Sequence, residues 1–269
     1  MIWKKRMIAL LCAAALSLSL LAGCSSDKDV NPQDSVTSND NVQNVNDDVP
    51  EVTTPETILW INATHAVLTD LNGWDYTKFG GMDATDANKE MMIPFLEDWW
   101  GVTDRDSAVE TIDWLLAEGH RADFVALMQL LDEDGWADSS EEEVAAMLTE
   151  VFEDEDAGKF TAQAYTQYHT YGETCIDGWD YSRALSLLGW FYIAGYYTET
   201  EALDKALEIA KELQGKFSSW DELIESYMRG YEYWSEASAD ARRNAYEDIK
   251  GRTNSPYKAD WNAALEKSW

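Results

Sequence analysis

Residues 178–197, GWDYSRALSLLGWFYIAGYY, limit the fold more than any other stretch. From Ala184 to Tyr197 only Ser186 is clearly polar. Leu185, Leu188 and Tyr192 mark one side of a helix, while Leu187, Trp190 and Phe191 spread over the others. A helix that is apolar all round belongs inside a core or a membrane. This one is short for a span, stops at Thr198-Glu199 and lacks basic flanks. The pattern predicts a buried helix near 179–194, with Gly189 and Gly195 allowing close approach of neighbours. At its start Asp177 is placed to cap it, and Asp180 falls in the first turn, where the helix dipole favours negative charge. Arg183 is three residues on, within reach of Asp180 on one face. Two buried charges need each other and further partners. The spacing therefore predicts an Asp180–Arg183 pair, read either as a structural ion pair or as the floor of a polar pocket.

The rest of the chain supplies helices to pack round that element. Thr54-Pro55 predicts a cap and first helical residue. Trp60, Ala63, Val67 and Leu71 then recur at helical spacing up to Asn72-Gly73. A loop is expected over 74–84, then a helix holding Phe95, Leu96, Trp99 and Trp100, with Pro94 starting or kinking it. Thr103/Asp106, Ser140/Glu143, Thr198/Glu201 and Ser219/Glu222 each pair a hydroxyl with an acid three residues on, the capping-box pattern. Apolar stripes come after each, including Trp220, Leu223, Ile224, Tyr227, Met228, Tyr231 and Trp234. Further helices are expected near 121–131, 141–153, 159–171 and 238–250. No stretch alternates as a strand does. The fold class is all-α: one compact domain of about ten helices over 55–269, long enough for a sizeable core.

The first 54 residues have a different texture. Lys4, Lys5 and Arg6 precede an apolar run from Met7 to Ala22, with Leu21-Ala22-Gly23-Cys24 at its end. A basic start, a short apolar run and small residues before a cut describe a secretory signal. The run falls short of the ~18 apolar residues of a spanning helix. Leu-Ala-Gly-Cys resembles the lipobox of bacterial lipoproteins, which implies lipidation of Cys24 by a diacylglycerol and removal of residues 1–23. Residues 24–54 are then a lipidated Cys and a polar, acidic tether too poor in large apolar groups to bury a core. As a random coil it reaches ~30 Å.

Charge narrows the partners. Twenty Lys and Arg against 51 Asp and Glu give −31; losing residues 1–23 removes three basic and no acidic groups, leaving −34. Nucleic acid is excluded as a partner, because its binding rests on cations facing phosphate. Direct contact between the folded part and an anionic membrane face is disfavoured too. Cys175 is then the one thiol of the mature folded part, so no internal disulfide forms. His65 and His169 show no zinc-ligand spacing. DEDGWADSSEEE at 132–143 fails as a calcium loop, since Gly135 falls at position four and Trp136 at five. No phosphate loop, GxSxG or cofactor signature occurs.

Trp100-Gly101-Val102, IDWLLAEGHR at 112–121, GWDYSRA at 178–184, SW at 219–220, GYEYW at 230–234 and SPY at 255–257 succeed one another in order. Together they resemble the bacterial family registered as domain of unknown function 1266, over about residues 56–269. The resemblance implies a helical fold and no established activity. Its recurring polar signatures map to Gly119-His120-Arg121 and to Trp179, Asp180 and Arg183.

These features support two functional readings. The first is a lipoprotein on the extracytoplasmic face of a bacterial membrane, held through lipid on Cys24. Its domain binds another protein or an envelope component, with Arg121 and Trp179 as candidate binding residues. The alternative is a hydrolase-type enzyme in which His120, Asp180 and Arg183 share a polar pocket and a histidine–carboxylate couple moves protons.

Overall fold

The computed structural model describes residues 54–269. The expected signal, Cys24 and the expected tether, up to residue 53, lie outside the described residues. The described chain is all-α: α1 (Glu56–Ala63), α2 (Ala66–Leu71), α3 (Asp86–Trp100), α4 (Arg105–Ala117), α5 (Gly119–Glu133), α6 (Glu141–Phe152), α7 (Glu155–Tyr171), α8 (Asp177–Ala194), α9 (Glu199–Lys216), α10 (Trp220–Ser235) and α11 (Asp240–Gly251). Short 3₁₀ turns lie at Phe79–Gly81, Gly172–Thr174 and Pro256–Lys258. Among the described residues no strand forms, and no helix is long and apolar enough to cross a membrane.

The apolar stretch is α8, at the centre. Every residue from Asp177 to Ala194 is buried except Arg183 and Tyr192, which are half-buried. α3, α4, α5, α9, α10 and the turn at 79–81 pack against it. The turn comes very close because both sides of the contact are glycine. Gly80 holds φ +75°, and a Cβ on it would sit 2.7 Å from the Gly189 carbonyl oxygen. A Cβ on Gly189 would sit 2.5 Å from the Gly80 Cα. A second apolar cluster joins α5, α6 and α7 through Phe124, Met128, Leu131 and Leu148. The chain after α11 returns to the core by aromatic packing. Trp60, Trp220 and Trp261 meet with ring centroids 4.9–5.1 Å apart, and the Trp60 indole N–H donates to the Trp261 carbonyl (3.1 Å).

Local capping explains most helix starts. Ser140 and Thr198 form full capping boxes with Glu143 and Glu201. Ser219 accepts from the Glu222 N–H, but the Glu222 carboxylate reaches Ser218 instead of closing the box on Ser219. Three expectations need correction. α4 is capped by Asp104 with Ser107, not Thr103 with Asp106, because the Asp104 carboxylate reaches the Ser107 N–H at 2.9 Å. Pro55, not Thr54, stands at the cap position of α1, and the Thr54 hydroxyl donates to the Thr77 carbonyl. Asp177 does not cap α8. It is the helix's first residue, and its carboxylate pairs with Lys216 (3.0 Å). Pro94 lies inside α3, which starts earlier, at the Thr85 cap.

Candidate functional site

The junction of α4 and α5 and the first turn of α8 bring the sequence-selected polar residues together. α4 ends at Ala117 and α5 begins at Gly119, with no side chain of its own capping the start. Gly119 makes the break at φ +58°. Its missing side chain matters twice: the backbone is left-handed, and a Cβ would lie 2.3 Å from Asp180 Oδ2. The cap of α5 comes from α8. His120 N–H donates to Asp180 Oδ1 (3.1 Å) and Arg121 N–H to Oδ2 (3.0 Å). A carboxylate on two free amides at a helix N-terminus satisfies donors that otherwise have no partner and meets the positive end of the helix dipole. Arg121 completes the joint. Its Nη1 reaches Asp180 Oδ2 (3.4 Å), and the guanidinium also donates to the carbonyls of Leu115 and Leu116 at the end of α4. Asp180 is thus buried completely, with every partner supplied by the α4–α5 joint.

The expected Asp180–Arg183 pair does not form. The spacing allows the contact, but the Asp180 oxygens are already taken by the His120 and Arg121 amides and the Arg121 guanidinium. Asp180 points at α5. Arg183 turns toward tryptophans: its guanidinium carbon lies 4.3 Å from the Trp100 ring centroid, 4.6 Å from Trp179 and 5.8 Å from Trp234. Burial pulls the Arg183 pKa down to about 10, with the Asp180 charge opposing the shift. Such stacking uses the planar cation as ammonium cannot.

His120 lies between the two. Its Nδ1 is 3.0 Å from Arg183 Nη1 and 3.3 Å from Asp180 Oδ1. A guanidinium only donates, so Nδ1 accepts from Arg183 and the ring proton sits on Nε2. Asp180 Oδ1 then serves the His120 backbone N–H. Burial, reinforced by the Arg183 charge, lowers the His120 pKa, with the Asp180 contact opposing the shift. Trp114 meets the ring edge-to-face at 5.2 Å and Trp234 at 6.4 Å. The His120 side chain remains 19% exposed, so the ring reaches the surface while its Nδ1 faces Arg183 and Asp180.

Trp179 is buried against Tyr227, Tyr231 and Trp234 of α10, with centroids 5.4, 6.0 and 5.5 Å away. Trp234, read from its helical spacing as a core residue, is 41% exposed and forms the rim of this cluster. Trp100 and Trp234 entered the sequence reading only as parts of the Trp100-Gly101-Val102 and GYEYW motifs and of apolar stripes, and Arg242, which stacks on Tyr231 of the same cluster, not at all.

Two clefts open nearby. One of about 350 Å³ is lined by Glu118, Arg121, Glu173, Asp177 and Lys216, where Arg121 and Lys216 are held by Asp180 and Asp177. The other, about 270 Å³, has Trp220, Tyr246, Tyr257 and Trp261 in its walls. Neither is lined by His120, Asp180 or Arg183. Cys175 is buried, its pKa raised to about 11 by burial, so it stays a thiol. Among the described residues no three His, Cys, Asp or Glu side chains are arranged to hold a metal ion.

The family model described as "Protein of unknown function (DUF1266)" matches residues 95–261, which include both the α4–α5 joint and the first turn of α8. The chain is similar to "Uncharacterized protein YbeU" of Escherichia coli (strain K12), at 27% identity over 148 residues. That alignment covers 52% of this chain and 57% of the relative, so the chain spans little more than half the length of the curated protein it matches. No solved structure matches.

Proposed function

The chain belongs to the family of unknown function DUF1266, and from that premise we propose that this member is a lipid-anchored, extracytoplasmic binding protein. Its helical domain recognises a partner and catalyses no reaction. One observation carries the non-catalytic part. The lone pair of His120 Nδ1 takes the Arg183 hydrogen bond and Asp180 is spent on the start of α5, which leaves the couple no free base to face a substrate. The anchor rests on the Leu-Ala-Gly-Cys24 motif behind a basic, apolar start. A lipid on Cys24 holds the protein at the membrane, with residues 25–54 between the anchor and the domain.

Metabolic labelling with radioactive palmitate tests the anchor. Wild type incorporates label and sediments with membranes, and Cys24→Ala does neither. Equal labelling of the two proteins refutes lipidation at Cys24. The non-catalytic part fails if the purified protein turns over an ester, peptide or phosphoester substrate and His120→Ala abolishes that turnover.

A further inference from the structure

Arg183 and Arg242 differ from the arginines at the other polar joints. Arg105, Arg121, Arg243 and Arg252 each have a carboxylate within salt-bridge distance. Arg229 donates from Nε to the Cys175 carbonyl. Among the described residues no Asp or Glu oxygen lies within that distance of Arg183 or Arg242, although the chain carries 51 acidic residues. Both guanidinium groups stack on one aromatic cluster. Arg183 lies on Trp179 and Trp234, and Arg242 lies 3.8 Å from the Tyr231 ring centroid. Trp179 joins the two ends, 6.0 Å from Tyr231 and 5.5 Å from Trp234.

The same cluster holds buried donors with no acceptor in the protein. These are the Trp179 indole N–H, the Tyr227 hydroxyl and the Arg242 Nε–H. Trp179 is 5% exposed and Tyr227 2%. Burial raises the Tyr227 pKa, and the charges of both Arg242 and Arg183 act on that hydroxyl against the rise. Two cations without a carboxylate partner, and two further unmatched donors on Trp179 and Tyr227, therefore belong to one aromatic cluster. Its rim, Trp234, is open to solvent, and Tyr231, Arg183 and Arg242 are half-buried. A buried donor without an acceptor is costly, so such a set calls for an acceptor from outside.

We propose that Arg183, Arg242, Trp179, Tyr227, Tyr231 and Trp234 form a binding site for a carboxylate carried on a planar or apolar body. The carboxylate accepts from the guanidinium groups and from Trp179 or Tyr227, while the body lies on Trp234 and Tyr231. A carboxylate fits because guanidinium forks match it two bonds at a time. The strongly acidic remainder of the chain repels anions, so recognition depends on this local pair and on the aromatic surface rather than on attraction at long range. A free small acid and a peptide C-terminus present the same chemistry. The proposal deepens the binding reading above and is independent of the lipid anchor.

Titration calorimetry and tryptophan fluorescence on the full-length protein in detergent test it. The probes are benzoate and a short peptide with a free C-terminal Phe, with benzamide and the peptide amide as neutral controls. The acids are expected to bind and the neutral controls not to bind. Arg183→Gln and Arg242→Gln each lower affinity about tenfold or more, as expected when a charge-assisted bond is removed. Trp234→Ala weakens binding several-fold, with folding checked by circular dichroism. Benzoate binding alone identifies a free acid as the source, and tighter peptide binding identifies a chain terminus. Absence of binding by either acid up to about 10 mM, weaker than most specific sites, overturns the proposal. So does binding that both arginine variants leave unchanged. Either failure leaves the lipid-anchored binding reading standing, because capture of a different class of partner does not need this site.

Discussion

Asp180 and Arg183 lie one turn apart on the same helix and have opposite fates. Asp180 is closed in: two backbone amides and Arg121 surround it, all from the joint between α4 and α5. Arg183 has an aromatic cage, one bond to a neutral imidazole, and no carboxylate within salt-bridge distance. The difference lies in what each group can obtain from the protein. A helix start offers a carboxylate a complete set of donors, whereas tryptophan faces hold a guanidinium without using its hydrogens. The carboxylate is therefore structural, and the cation keeps bonding capacity for another molecule.

The largest test of this contrast is Asp180→Ala. It strips the cap from α5 and leaves Arg121 buried without its anion, so a loss of roughly 3–5 kcal/mol is expected. Urea unfolding measures it; a change under about 1 kcal/mol would show that the joint does not depend on Asp180. Acid comes next. His120 and His65 are both held neutral, the first shifted down by burial and the Arg183 charge, the second by burial alone to about 4. In the unfolded chain both titrate near 6.5, so the unfolded state binds more protons below that pH. Stability is fully present above 6.5 and is lost as pH falls, with the His65 loss levelling off below about 4. From its shift of 6.5 to about 4, His65 contributes about 3 kcal/mol of that loss. In a His65→Asn variant the pH slope should shrink to the smaller His120 part; an unchanged slope would place the acid sensitivity elsewhere. The smallest effect is expected from Arg183→Gln. Lost cation–π contact is offset by removing a half-buried charge that has no carboxylate partner, so stability should move by no more than about 1 kcal/mol. A loss as large as that of Asp180→Ala would erase the contrast between the two positions.

Much of the fold was legible because its causes are local. Ser140 and Thr198 cap helices with acids three residues on, and that pattern needs no tertiary context. The burial of α8 comes from its lack of a polar face. Gly189 was readable as a close-approach position, although its partner, Gly80, was not. The site was legible in its residues but not in its pairings. His120, Arg121, Asp180 and Arg183 do meet, yet i,i+3 spacing suggested Asp180 with Arg183 while the actual cap lies about 60 residues away in sequence. Trp234 looked like core from its stripe, but it stands near the exposed end of α10.

The sequence by itself determined the helical class, the central helix, the caps at Ser140, Thr198 and Ser219 and the excess of negative charge, since each depends on neighbouring residues or on composition. Tertiary structure alone decided which donors the Asp180 carboxylate meets and that Arg183 and Arg242 stack on one aromatic cluster. Those outcomes depend on how helices far apart in the chain are rotated against each other. A few tens of degrees of rotation decide whether a charge finds a partner inside the protein or keeps its donors for one outside.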